Sequence, residues 1–312
     1  MGHIDWHQIA ENAFLPDNIP MLILLILVPF FLWYGLREAV RNDRLITQLE
    51  ADPALAKTHH RRHQPFHPAW DKTVHTWPYL LRVEFLAALI LTTFLILWSI
   101  YFDAPLEEPA NPARTMNPAK APWYFLGLQE LLVYFDPWIA GVILPNVIVV
   151  GLMAIPYLDT SPLGNGYYTW KQRKFAIGGF MFGFLMLWLL LSFIGTFIRG
   201  PGWMWFNLGE TWDAHRVVFE FNVDLHSKFG ITDATTAAIF GGVATLGFMA
   251  VAGGVCDFMI RKFKPRLFLS MNLIQYLHLI GFLAMMGGTV AKMLLRLMFG
   301  VKYVWVTPWF NV

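Results

Sequence analysis

Two aromatic rings and a proline stand together at Pro122, Trp123 and Tyr124, and two carboxylates, Glu130 and Asp136, follow them. An aromatic wall beside a polar loop suits a flat ring carrying oxygen atoms. The same residues also make a membrane-interface anchor, and on physical grounds alone that is the simpler reading. A second group is His59, His60, His63 and His67, set among Arg61 and Arg62. Some of these histidines have the i, i+4 spacing of a helical metal pair, but no Cys, Asp or Glu lies among them and Pro65 and Pro68 interrupt a helix. A solvated basic loop touching anionic lipid or a partner is the stronger reading, and no metal site is expected. Arg82 and Glu84 form a third group, next to His75, Trp77 and Pro78; an interfacial ion pair accounts for them without any chemistry. The single cysteine, Cys256, excludes an internal disulfide framework, a four-cysteine cluster and the attachment motif of a c-type haem. It reads as a small buried thiol.

The elements that must position these groups follow from composition. Asp, Glu, Lys and Arg make up 14% of the 312 residues while apolar types reach 56%. An ordinary soluble protein has about 25% charged residues, so a water-soluble globule is excluded. With 23 basic against 21 acidic residues there is no basic excess that would point to nucleic acid. Runs free of Asp, Glu, Lys and Arg extend over Asn18 to Leu36, Phe85 to Phe102, Pro137 to Leu158, Phe175 to Ile198, Ala234 to Cys256 and Leu267 to Ala291. A bilayer core of about 30 Å needs roughly 20 helical residues, so the expected fold is all-α and polytopic, with six transmembrane helices. The first run lacks a basic region before it and a small-residue cleavage site after it, and is expected to be retained rather than removed as a signal peptide. Within the six runs His278 is the sole histidine. A transmembrane haem usually takes two histidines on facing helices, so an interhelical hydrogen bond is the stronger reading of this one.

Lys and Arg fall unevenly between the two sides. With the N-terminus outside, segments 37–84, 159–174 and 257–266 lie inside and hold 15 of the 23 basic residues. The outer side then holds 13 of the 21 acidic ones. The bias places both termini outside. Lys292, Arg296 and Lys302 run against it and are expected on an interfacial helix, with Tyr303, Trp305 and Trp309 at headgroup level. The outer loop 103–136 has prolines at 105, 109, 112, 118 and 122. It should therefore run extended until Pro122 opens a short helix at the membrane surface, because a proline at the first turn forfeits no hydrogen bond.

The order Pro109, Ala110, Asn111, Pro112, then Ala121, Pro122, Trp123, Tyr124, then an apolar helix ending Ile155, Pro156, Tyr157, Leu158, Asp159, resembles the C-terminal half of cytochrome b, the subunit IV of split cytochrome bc-type complexes. The resemblance covers roughly residues 75–200 and three helices. It implies segments 1–74 (first helix and basic inner loop), 75–200 (the cytochrome b C-terminal-like core) and 201–312 (an extension with two helices). It further implies an outer-face quinol oxidation site walled by Pro122, Trp123 and Tyr124. One electron would pass to the 2Fe-2S centre of a Rieske iron–sulfur protein and the other to a haem b in a cytochrome b N-terminal-type subunit, with a c-type cytochrome downstream. No haem or metal is expected on this chain itself.

Where the family motif has Pro-Glu this chain has Ala121 and Pro122, so the carboxylate usually assigned as proton acceptor is missing. Glu130, seven residues beyond Trp123 and so near the same helical face, is the candidate replacement, with Asp136 behind it. Glu130 facing outer water is the equal alternative. Variants with proline at this place resemble those using menaquinol, which favours menaquinone as the quinone. On the inner side the resemblance makes Arg82 and Glu84 candidates for proton delivery at a quinone-reduction site. The expectation is thus one membrane subunit of a quinol–cytochrome c oxidoreductase in the bacterial cytoplasmic membrane. A non-catalytic membrane anchor is its first rival, and a transporter, disfavoured by spans that lack ionisable residues other than His278, its second.

Overall fold

The computed structural model describes residues 4–59, 76–103, 109–113, 115–160, 167–218 and 222–312. The described residues are helical, with isolated bridges and no strand. Six helical stretches are long and apolar enough to cross a membrane: Ile19–Ala51, Thr76–Tyr101, Trp138–Leu158, Lys174–Ile198, Ala234–Phe263 and Leu273–Phe299. They coincide with the six expected runs; five extend past the uncharged stretch at one end, and the third, Trp138–Leu158, lies within it. The chain is a multi-pass helical membrane protein, and its contacts divide it into two compact units, residues 1–43 with 115–312 and residues 44–114. These units follow contacts, whereas the boundaries at 74 and 200 follow the resemblance.

In the first unit α1 (Trp6–Phe14) is N-capped by Asp5, whose carboxylate accepts from the amides of His7 and Gln8. Helix α2 (Ile19–Ala51) leaves this unit at Asp43 and continues into the second, where α3 (Pro53–Thr58), N-capped by Asp52, and α4 (Leu81–Tyr101) follow. No residue of α4 is buried. An apolar helix with no covered face is one made for lipid or another chain.

The remaining helices of the first unit are α5 (Leu126–Tyr134), α6 (Leu144–Leu158), α7 (Lys174–Phe182), α8 (Leu190–Phe193), α9 (Leu225–Lys228), α10 (Ala234–Phe263), α11 (Pro265–Ser270) and α12 (Leu273–Phe299). A π-helical turn, Trp138–Ile143, opens the third span, and two more, Gly183–Leu189 and Ile194–Ile198, complete the fourth around α8. Polar contacts gather the ends of these spans into two groups. At one end Asp5 N donates to Gly209 O, Arg199 meets Glu130, and Asn311 Nδ2 donates to Asp136 Oδ2 at 3.2 Å. At the other, Asp43 Oδ2 accepts from the amides of Trp170 and Lys171, Arg173 pairs with Asp159, and Gln275 Nε2 donates to Tyr157 O. The described parts of the N- and C-terminal segments therefore share one end with α5, as the alternation of spans requires.

The end of the chain differs from expectation. Lys292 and Arg296 are not on an interfacial helix; they continue α12, which stops at Gly300 in the left-handed conformation (φ 60°) that glycine adopts without strain. Lys292 is buried and its ammonium donates to Tyr134 O (2.7 Å) and Lys302 O (2.6 Å), which lets a cation lie inside an apolar helix. A charge-free run ended at Ala291 only because Lys292 follows it. Beyond Gly300 the chain is a non-helical segment, and Val312 packs on the core formed by Leu131, Tyr134, Phe135, Ala140, Leu191 and Met293. Trp305 lies on Gly241 and Gly242 of α10, while Trp309 is 81% exposed.

A Cβ at Gly241 would lie 2.6 Å from Trp305 Cα, a backbone clash no rotamer relieves. Gly241→Ala is therefore expected to release residues 301–312 and speed tryptic cleavage after Lys302, whereas Gly247→Ala, with nothing within 4 Å, leaves it unchanged. Equal cleavage in the two variants would contradict this packing.

Candidate functional site

The stretch before α5 is extended and held by side chains. Gln129 reaches back along it, accepting from Ala121 N and donating to Ala119 O, both at 2.8 Å. Lys120 Nζ donates to Thr196 O at 2.7 Å at the end of the fourth span and lies 4.7 Å from the Trp212 ring. Asn117 Oδ1 accepts from Gly202 N. Pro122 then caps a 3₁₀ turn, Trp123–Phe125, which runs straight into α5.

Helix α5 buries one face. Leu126, Gly127, Glu130, Leu131 and Tyr134 recur at helical spacing and are all buried. This face meets the fourth span closely enough that a Cβ on Gly127 would come 2.9 Å from Ser192 Oγ, and one on Gly195 3.1 Å from Leu126 O. Tyr124 and Phe125, 49% and 50% exposed, turn away from this face, while Trp123, in phase with Glu130, is half-buried and perpendicular to Tyr124 at 5.5 Å between ring centroids. Pro122 and Tyr124 are thus exposed beside a half-buried Trp123, with the two rings at right angles.

Glu130 has a different neighbourhood from the one expected of a quinol-facing base. Its residue is 0% exposed, and both carboxylate oxygens are engaged. Arg199 Nε donates to Oε2 and Nη2 to Oε1, each at 2.9 Å, and the Tyr134 hydroxyl donates to Oε1 at 2.8 Å. The helical period places Glu130 in phase with Trp123, but α5 turns this side inward, so the carboxylate meets Arg199 rather than water or an open pocket. Burial opposes the Arg199 charge, yet the hydrogen bonds and charge of Glu130 hold the guanidinium above its ordinary value. Burial, then the Glu130 charge, push the Tyr134 phenol upward as well, so it stays a donor. Asp136 Oδ1 accepts from Trp138 N, opening the third span.

Beyond the other end of α5 lies a cavity of about 610 Å³, lined among others by Leu132, Val133, Arg199, Trp203, Met204 and Tyr303. Nine helical residues, roughly 13 Å along the axis, separate Leu132 from Trp123, so the cavity and the aromatic surface are distinct places.

The remaining expected residues are not gathered here. Arg82 and Glu84 are exposed on the first turn of α4 in the second unit, two residues apart and so on different faces. His60, His63 and His67 lie outside the described residues, and His59 is half-buried after α3. His278 is exposed on α12 with Nδ1 2.8 Å from Ile274 O, so the bond it makes is within its own helix and not the interhelical one expected. Sequence reasoning missed Arg199, Tyr134 and Lys120. A signal existed for Arg199, the first charge after an uncharged span, standing directly before Gly200, Pro201 and Gly202.

Fold and site together define a polytopic helical protein with a short helix clamped at one end of its spans. Residues 109–206, which contain that helix and its clamp, match the family described as cytochrome b (C-terminal)/b6/petD. The chain is 35% identical over 115 residues to the menaquinol:cytochrome c reductase cytochrome c subunit of Bacillus subtilis (strain 168), covering 34% of this chain and 42% of that protein. It is 30% identical over 96 residues to the protein of the same description in Geobacillus thermodenitrificans, covering 29% of this chain and 38% of that one. Against the cytochrome b of Allochromatium vinosum it is 30% identical over 95 residues, 29% of this chain and 23% of that protein. The chain spans less than half the length of each of these relatives. No solved structure matches it.

Burial lowers Lys120 from 10.5 to about 8. Between those values the folded chain binds fewer protons at this site than the unfolded chain, so its contribution to stability rises with pH across about 8 to 10.5. Lys120→Met is expected to remove that rise, read as the pH slope of unfolding relative to wild type. An identical slope in the two proteins would contradict the burial of the ammonium.

Proposed function

We propose that this chain is a membrane subunit of a quinol–cytochrome c oxidoreductase of the cytochrome bc type, contributing part of the quinol oxidation pocket. One observation carries the reading: the segment that matches the cytochrome b C-terminal family is the segment whose helix α5 is locked by its inner face, leaving Pro122, Trp123 and Tyr124 as an aromatic wall. A flat quinol ring gains from stacking on such a wall, while the open side is left for a second chain to complete the pocket.

In this reading the quinol loses two electrons and two protons on the outer face. One electron passes to a Rieske 2Fe-2S protein and one to a haem b carried by a cytochrome b N-terminal-type subunit, with a c-type cytochrome as the later acceptor. The aromatic residues bind and orient; the redox centres belong to the partners. Menaquinol is the proposed substrate, supported by the likeness to the menaquinol:cytochrome c reductase subunits of Bacillus and Geobacillus and by Pro122 in the motif. The proposed place is the bacterial cytoplasmic membrane, termini outside. Arg82 and Glu84 are proposed for proton delivery on the inner side. A non-catalytic anchor is the second reading, favoured specifically by the absent motif carboxylate at Ala121 and Pro122.

Trp123→Ala in the assembled complex separates the two. Loss of a stacking face is expected to raise the quinol KM and weaken quinol-site inhibitor binding by roughly tenfold while the complex still purifies whole. An intact complex with unchanged KM and inhibitor affinity would favour the anchor.

A further inference from the structure

Glu130, Arg199 and Tyr134 form a buried trio on the inner face of α5, and the bidentate geometry fixes more than charge. A guanidinium fork donating Nε and Nη2 to the two carboxylate oxygens, each at 2.9 Å, holds the carboxylate in one plane and one position. The third donor, the Tyr134 hydroxyl, comes from one helical turn further along α5 itself, so the rotation of α5 about its axis is fixed against the end of the fourth span. Arg199 Nη1 also donates to Trp203 O at 3.1 Å, tying in the turn that follows. Trp123 is seven residues, close to two helical turns, before Glu130. A rotation of α5 therefore moves the wall with it. A proton acceptor, by contrast, needs an oxygen within hydrogen-bond reach of the substrate hydroxyl, and Glu130 has no exposed surface from which to offer one.

We propose that Glu130, Arg199 and Tyr134 are positioning residues that set the rotation of the short helix and thereby the geometry of the Trp123–Tyr124 wall, Glu130 not itself taking the quinol proton. This rests on the reading of the chain as part of a quinol site.

The test uses the purified, fully assembled complex carrying Glu130→Gln, Arg199→Lys or Tyr134→Phe, with Trp123→Ala as reference. Quinol KM, kcat, affinity for a quinol-site inhibitor and the pH profile are measured in each. Misplacing the wall is expected to raise KM and weaken the inhibitor by roughly tenfold in all three variants, with the limbs of the pH profile unmoved. Arg199→Lys, which keeps every carboxylate, should be as damaging as Glu130→Gln. Tyr134→Phe removes a hydroxyl and no charge, and carries the test if a charge variant does not assemble.

A loss of 10² to 10⁴ in kcat confined to Glu130→Gln, with KM unchanged and one limb of the pH profile lost, would overturn the proposal by making Glu130 the base. Unchanged KM and inhibitor binding in the trio variants, while Trp123→Ala alters both, would overturn it by making the pair purely structural. Absence of any effect of Trp123→Ala would instead bring down the quinol-site reading on which it rests.

Discussion

Everything at the end of the spans that carries α5 is organised around one buried ion pair. Glu130 and Arg199, 0% and 3% exposed, are 69 positions apart in sequence and meet through two hydrogen bonds. Removing both charges from water is expensive, and a buried pair is weak support for stability as such. Losing one partner, however, costs about 3–5 kcal/mol, because the other charge is stranded. Such a contact selects one arrangement and penalises all others. Around it the same segment is tied by Lys120 to Thr196, Asn117 to Gly202 and Gln129 to the backbone at Ala119 and Ala121. Short side chains complete the fit, since Gly127 and Gly195 let α5 and the fourth span approach where a methyl group would not fit.

The consequence for function is a division of faces. An isolated nine-residue helix is too short to hold its own shape in water, so α5 exists because its inner face is bound. Once that face is fixed by Glu130, Tyr134 and the apolar residues between them, the outward direction of Tyr124 and Phe125 is fixed too. The C-terminal extension adds a second support from outside the matched segment: Lys292 caps Tyr134 O from α12, and Asn311 reaches Asp136. Residues 115–206 of the match and the two added spans are thus held together within the first unit.

The six spans were legible in the sequence because desolvation forbids unpaired charge across about 30 Å, and the charge-free runs record that prohibition directly. The wall of Pro122, Trp123 and Tyr124 was legible as a motif. What the sequence hid was partnership across distance. Helical periodicity puts Glu130 in phase with Trp123 correctly, but period alone does not say which way that face turns; Arg199 decides it. Lys292 was hidden for the same reason. A lysine ends a charge-free run, yet two backbone carbonyls, Tyr134 O and Lys302 O, let it stay within the helix. Local pattern sees residues a few positions apart, while burial of a charge is settled by residues brought from elsewhere in the chain.

The central claim is that the aromatic turn leading into α5 faces a quinol. A photoactivatable menaquinone analogue, cross-linked in the assembled complex and mapped by mass spectrometry, measures this without any substitution. Labelling at Trp123, Tyr124 or Phe125 that is displaced by excess unmodified quinol is the predicted result. Displaceable labelling of this chain confined to positions away from residues 115–135 would contradict it.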